Sequence, residues 1–257
     1  MSASPAPAPL LTLRALAHRF SGLNVLRGVD IDVFGDRITG LIGPNGAGKS
    51  TLFNIVSGFL PAQEGAIAYD GHDITRWSVS QRVRAGLIRT FQTPRLFSHM
   101  TVRENLMTAG WLATSSGFLQ GLLGTRSSRA DVARMEAAAA AACARFELGA
   151  VWQARAGDLT AGRQRLVELA RASVASPRLL CLDEPSSGLN ADEVAALRAA
   201  LERLNADGVS ILLVSHDMEL MAVASTVHCL CFGEIIASGN FTAVKEDPRV
   251  REAYLGV

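Results

Sequence analysis

Eight residues, Gly43-Pro44-Asn45-Gly46-Ala47-Gly48-Lys49-Ser50, constrain this chain more than any other stretch. They follow an apolar, strand-like run at Ile38–Ile42 and precede a helix-like run over residues 51–57 that stops near Gly58. The spacing is that of G-x-x-x-x-G-K-[ST], and the strand and helix on either side are the context that gives the pattern a mechanism. Glycines let successive backbone N–H groups turn inward without Cβ clashes, and a helix starting near Lys49 adds the positive end of its dipole. Such a concave set of amides beside an ammonium is a receptor for a polyphosphate. Lys49 is expected to neutralise the β and γ phosphates. Ser50 supplies a hydroxyl ligand for Mg²⁺, and Thr51 can donate on the α-phosphate side. By itself the loop leaves kinases, GTPases and transport ATPases open.

A second feature narrows the chemistry. The apolar run Leu179-Leu180-Cys181-Leu182 ends on Asp183 and Glu184, two acids at the carboxyl end of a buried strand, where doubly wound sheets place ligands. Asp183 can hold the water shell of Mg²⁺, and Glu184 is the candidate general base for an attacking water. His216 follows another buried run, Ser210–Val214, and a neutral imidazole there can hydrogen-bond a γ-phosphate oxygen.

The rest of the 257 residues fits one α/β domain with a subdomain. Short β-like runs punctuated by glycines fill residues 10–42. Ala-rich helical sequence fills much of residues 93–158, and strand and helix alternation resumes after it. A final hairpin is expected at residues 227–232 and 234–238. Residues 1–9, rich in Pro, Ala and Ser, read as a disordered lead-in. A net charge of +1 gives no electrostatic reason to expect nucleic acid as a partner. No stretch reaches the twenty or so apolar residues of a membrane-spanning helix, so a membrane role would run through partner subunits, or less directly through a surface segment at residues 111–124. The four cysteines show no CxxC spacing, and Cys181 sits in an apolar run that suits a buried free thiol.

In order, the phosphate loop, Gln92, the segment Leu159-Thr160-Ala161-Gly162-Arg163-Gln164-Arg165, the Asp183-Glu184 strand end and His216 resemble the ATP-binding-cassette ATPases over residues 10–257. The resemblance implies an α/β P-loop NTPase fold with a mixed or parallel sheet core, an N-terminal antiparallel β region and an inserted helical subdomain at about residues 93–175. It implies ATP and Mg²⁺ as cofactors, with Gln92 reaching Mg²⁺ or the attacking water and Phe20 stacking on adenine. In that family a Leu-Ser-Gly-Gly-Gln segment faces the γ-phosphate of a partner cassette across a head-to-tail dimer. Thr160 and Gly162 fall on its Ser and second Gly, forming an anion site expected to lack a ligand in its own half.

Two positions depart from the family pattern. Ala161 stands where the family has Gly, which puts a positive φ there in doubt, and Asn190 in Ser187-Gly188-Leu189-Asn190 replaces an Asp. Within the family, the tract at residues 117–123, the Gly-Leu-Asn variant and the ending at residues 247–256 look like the branched-chain amino-acid importer ATPases. Urea or amide importers and the lipopolysaccharide-export ATPase are near relatives. The implied partners are two transmembrane permease subunits, a second cassette of the same or a sister chain, and an external solute-binding protein. The implied location is the cytoplasmic face of the inner membrane. Soluble cassette proteins of repair or translation carry long coiled coils or two cassettes, and GTPases carry Asn-Lys-x-Asp; neither feature is present.

Overall fold

The computed structural model describes residues 8–110 and 126–255. Residues 1–7 of the expected lead-in, the tract at residues 117–123, the surface segment at residues 111–124 and the end of the C-terminal motif at Gly256 lie outside the described residues. The chain forms two compact units. The first comprises Met1–Arg89, Arg178–Ser186 and Glu202–Val257, and the second Thr90–Pro177 and Ser187–Leu201. The second unit therefore takes in residues 187–201 as well as the stretch expected at 93–175.

In the first unit, β1 (Pro9–Phe20) and β2 (Leu23–Phe34) form an antiparallel hairpin, extended by β4 (Glu64–Tyr69) and β5 (His72–Asp73) in the order β2-β1-β4-β5. Sequence shows only a short run at residues 11–13, because a bulge hides the rest of β1. Ala15 takes a left-handed φ of 48°, the register shifts between Leu13 and Leu16, and the Ala15 amide donates to Asp30 Oδ1 at 2.8 Å. The extra residue turns Leu16 back into the core beside Leu11 and Leu13, so alternation breaks while burial continues.

The second sheet has the order β10-β9-β3-β8-β7-β6, with β3 (Ile38–Ile42), β6 (Leu87–Arg89), β7 (Leu179–Asp183), β8 (Ser210–Val214) and β9 (Thr226–Cys231) parallel and β10 (Glu234–Gly239) antiparallel at one edge. Every residue of β3, β7 and β8 is buried, which is why these strands read as unbroken apolar runs. Helix α1 (Lys49–Val56) buries Leu52, Phe53, Ile55 and Val56, each contributing about 1.5–3 kcal/mol. Its end is satisfied by Arg82, on α2 (Val79–Arg84). That guanidinium donates to the carbonyls of Ile55 at 2.7 Å, Val56 at 2.5 Å and Ile74 at 2.9 Å, and burial pulls its pKa down to about 10. A charged side chain thus supplies the donors that the last turn of α1 would otherwise lack.

The second unit is built on α3 (Val102–Gly110), α4 (Arg126–Arg145) and α5 (Ala161–Val174), which pack on one another. Small residues permit the close approach: a Cβ on Gly110 would stand 2.7 Å from Met135 Cγ, and Ala139 and Ala142 are buried. Helix α6 (Ala191–Ala206) begins in this unit. The first unit is completed by α7 (Met218–Met221), α8 (Phe241–Glu246) and α9 (Pro248–Leu255).

Candidate functional site

Parallel pairing brings three loops together at the carboxyl end of the six-stranded sheet. β8 pairs with β3 on one side and β7 on the other, and Leu41 and Asp183 are both registered against Val214. The segments leaving these strands carry Gly43 to Ser50, Glu184, and Ser215 with His216.

The phosphate loop is shaped by glycines where a side chain has no room. Gly43 has φ 154°, and a Cβ there would stand 2.0 Å from the Leu230 carbonyl oxygen of β9; Gly48 has φ 107°, with the Val25 carbonyl oxygen 2.8 Å from the same position. The turn after β9 braces the loop, since the Gly233 amide donates to the Ala47 carbonyl at 3.2 Å and the Arg27 amide to the Gly233 carbonyl at 2.9 Å. Pro44, Asn45, Gly46 and Ala47 form the crest between these glycines, with Asn45 and Gly46 exposed. Lys49 is the first residue of α1, and its Nζ donates to the carbonyls of Gly43 at 2.6 Å and Pro44 at 3.0 Å. Burial lowers its pKa, while Glu184 and then Asp183 pull it back up. Ser50 and Thr51 follow on the first turn of α1.

Phe20 closes the β1–β2 hairpin opposite Leu23, two residues before the Val25 that backs Gly48. It is 45% exposed and stands edge-on to His18 at 4.6 Å, so it is a surface aromatic and not a core residue.

The acids differ in their surroundings. Asp183 Oδ2 accepts from Arg89 Nη2 at 2.8 Å, and Arg89 Nη1 reaches Asn54 Oδ1 at 2.6 Å and Ser57 Oγ at 2.9 Å. Glu184 takes a left-handed φ of 47°, and its amide continues the ladder to the Val214 carbonyl at 2.9 Å. Its Oε2 lies 2.7 Å from His216 Nδ1 and 3.3 Å from the His216 amide. A non-glycine residue in that conformation carries local strain, which here turns the carboxylate toward the end of β8. Partial burial on α9 pushes the phenol of Tyr254 up to about 12, with the Gly43 amide pulling it the other way.

Gln92, Thr160 and Gly162 belong to the second unit. The Gln92 side chain is exposed, and its backbone is held by Arg165 of α5, which donates to the Phe91 carbonyl at 2.8 Å and the Gln92 carbonyl at 2.5 Å. Arg165 also pairs with Glu168 at 2.5 Å in a buried site, where burial raises the Glu168 pKa against the pull of Arg165. Asn105 ties the following turn through the Phe97 amide at 2.9 Å and the carbonyls of Phe97 and Thr101, both at 3.0 Å.

Thr160 caps α5, its hydroxyl accepting from the Arg163 amide. Ala161 is the first helical residue and is not among the positive-φ residues, so the family's glycine is not required there. Beside it, the Gly162 amide donates to Glu193 Oε1 at 3.1 Å, so one donor of the expected anion site has a partner within the chain. Glu193 also accepts from the Asn190 amide at 3.3 Å, while its own amide donates to Asn190 Oδ1 at 3.0 Å. This reciprocal pair caps α6, and Asn serves it as well as Asp would. The Asn190 amide, and less strongly Gly162 and Thr160, holds the Glu193 carboxyl below its ordinary range.

Sequence reading missed Arg89, Arg165, Glu168, Glu193 and Tyr254. Only Glu193 had a local signal, standing three residues after a capping Asn. The donor set fits a magnesium polyphosphate. Among the described residues no group of three or more His, Cys, Asp and Glu could hold a metal alone, and Mg²⁺ takes one or two protein oxygens with phosphate and water completing its shell. Ser50 and Asp183 offer oxygens of that kind.

Residues 26–187 match the family model described as ABC transporter, and residues 234–257 match the model of the branched-chain amino acid ATP-binding cassette transporter. The chain is 37% identical over 250 residues to the high-affinity branched-chain amino acid transport ATP-binding protein BraF of Pseudomonas aeruginosa, covering 96% of this chain and 98% of that protein. It is 38% identical over 252 residues to LivG of Escherichia coli K12, a protein of the same description, with the same coverage. Among solved structures, a nucleotide-free ATP-binding cassette from an ABC transporter superposes with a TM-score of 0.84 at 30% identity, over 97% of this chain and 100% of that one. The ADP conformation of such a cassette superposes with a TM-score of 0.84 at 31% identity, over 97% of this chain and 99% of that one.

Proposed function

The chain belongs to the family of ABC transporter ATPases, and from that premise we propose that it energises the import of branched-chain amino acids, hydrolysing ATP on behalf of two transmembrane permease subunits. The observation that carries the choice of solute is the match of residues 234–257 to the branched-chain amino acid ATP-binding cassette transporter model, joined to 37% identity with a high-affinity branched-chain amino acid transport ATP-binding protein.

In this reading the amides of residues 43–48 and Lys49 hold the β and γ phosphates, Thr51 donates on the α-phosphate side, and Phe20 stacks on adenine. Ser50 and Asp183 would hold Mg²⁺, with Gln92 reaching the ion or the attacking water, and the ion would supply charge neutralisation to the phosphates. Glu184 accepts a proton from the attacking water, its carboxylate held by the His216 amide, and the neutral His216 ring, once turned from that carboxylate, donates its one N–H toward the γ-phosphate. Thr160 and Gly162 face the ATP of a second cassette, from the same or a sister chain. For that, Glu193 must release the Gly162 amide.

The chain would sit at the cytoplasmic face of the inner membrane, attached through the permeases; among the described residues no helix is long and apolar enough to cross a membrane. The turn held by Asn105 presents Phe97 and Met100, 52% and 39% exposed, as anchors for a permease, and an external solute-binding protein completes the importer.

The test is reconstitution with the membrane proteins that co-purify with the chain. ATP-dependent uptake of leucine, isoleucine or valine supports the reading; uptake of urea or amides alone, outward movement of lipopolysaccharide, or no membrane partner at all overturns it. Crosslinks from residues 93–104 should reach a permease subunit.

A further inference from the structure

We infer that Arg89 is a built-in counter-cation of Asp183 that competes with Mg²⁺ for this carboxylate, and so sets how tightly the site holds metal-bound nucleotide. The inference rests on the reading of Asp183 as a metal-facing carboxylate.

The pair is buried, with side chains 7% and 11% exposed, and Nη2 stands 2.8 Å from Oδ2. The guanidinium is fixed from the other side. Nη1 reaches Asn54 Oδ1 at 2.6 Å and Ser57 Oγ at 2.9 Å, and its carbon stands 5.7 Å from the ring centres of Phe53 and Phe59. The planar guanidinium, held on both sides, compensates the Asp183 carboxylate from a fixed position. The other nearby cation, Lys49, places its ammonium on the carbonyls of Gly43 and Pro44 instead.

A divalent ion approaching Asp183 therefore meets a carboxylate already neutralised, with a fixed positive charge behind it where screening is weak. Remove the guanidinium, and the buried carboxylate becomes an uncompensated charge that the metal relieves on binding. By linkage, the lost compensation reappears as tighter metal binding. A merely structural arginine predicts the opposite sign, because loosening the site weakens its grip on the metal.

The experiment titrates the purified full chain with a fluorescent ATP analogue, with and without Mg²⁺, and reads the ratio of the two affinities. Arg89→Met is expected to raise that ratio on the order of tenfold, and Arg89→Lys, which keeps the charge, to leave it near wild type. Asp183→Asn is expected to bring the ratio down toward one. An unchanged ratio in Asp183→Asn overturns the reading of Asp183 and this inference with it. A collapsed ratio there, with an unchanged or lowered ratio in Arg89→Met, overturns the role of Arg89 alone. Should Arg89→Met fail to fold, Arg89→Gln, which keeps hydrogen-bonding groups without the charge, takes its place. A rise in the ratio then supports the inference, and no rise overturns it.

Discussion

His216 Nδ1 lies 2.7 Å from Glu184 Oε2, and the His216 amide reaches the same oxygen at 3.3 Å. One carboxylate oxygen thus receives two contacts from the residue that follows β8, while its own backbone is pinned to Val214 of that strand at 2.9 Å. The two side chains form a unit, which has a kinetic consequence. Glu184→Gln is expected to bind ATP normally and to lower turnover by about 10²–10⁴-fold, the range for removing a general base. His216→Ala should lower turnover as well, and the double variant should be little worse than Glu184→Gln alone, because groups acting together are not additive. Phosphate release by the reconstituted transporter measures all three; a fully multiplicative loss contradicts the coupling.

Lys49 carries a pH signature. Burial holds its folded pKa below the ordinary 10.5, so between that lowered value and 10.5 the unfolded chain binds more protons than the folded one. The cost of burying the ammonium is thus relieved as pH rises through this window, while the charge that binds phosphate is lost. ATP affinity should fall across the window, and ATP binding should take up a proton there. Calorimetry in buffers of different ionisation enthalpy detects the uptake, and Lys49→Ala should abolish both the uptake and most of the affinity.

Gly43→Ala should destabilise the first unit by roughly 3 kcal/mol or more, since the new Cβ collides with backbone and not with a yielding side chain. The atom it meets, the Leu230 carbonyl oxygen, belongs to β9, which pairs with β3. Thermal unfolding gives the loss; a midpoint close to wild type contradicts the geometry.

Glu193→Ala removes the clamp between Gly162 and Asn190. It should lower stability modestly and speed hydrogen exchange at the Gly162 amide. The carboxyl is held below its ordinary 4.5, so its contribution is complete above that value and fades as pH falls through the depressed one. Unchanged exchange at Gly162 in the variant removes the clamp from the account.

Much of the chemistry is legible in short stretches of sequence. The glycine spacing at Gly43 to Ser50, the apolar run ending on Asp183 and Glu184, and the run ending before His216 are local patterns. Each encodes a strand end and the residue that leaves it, because periodicity and glycine placement act over a few neighbours. The C-terminal motif likewise points toward one branch of the family from its residues alone.

Which charges meet is a matter of the tertiary fold. Arg89 and Asp183 are 94 positions apart in the chain, Gly162 and Glu193 are 31 apart, and Glu184 and His216 are 32 apart, yet each pair is within hydrogen-bond reach. An arginine destined for a buried ion pair looks, in sequence, like one destined for solvent. The β1 bulge at Ala15 is hidden for a related reason, since its left-handed residue is set by pairing with β2 and by Asp30. Local sterics and apolar patterning suffice to write the phosphate loop and the strand ends around it into the chain. How those groups are held depends on the folded molecule, because burial and charge compensation come from segments that the chain brings together from far apart.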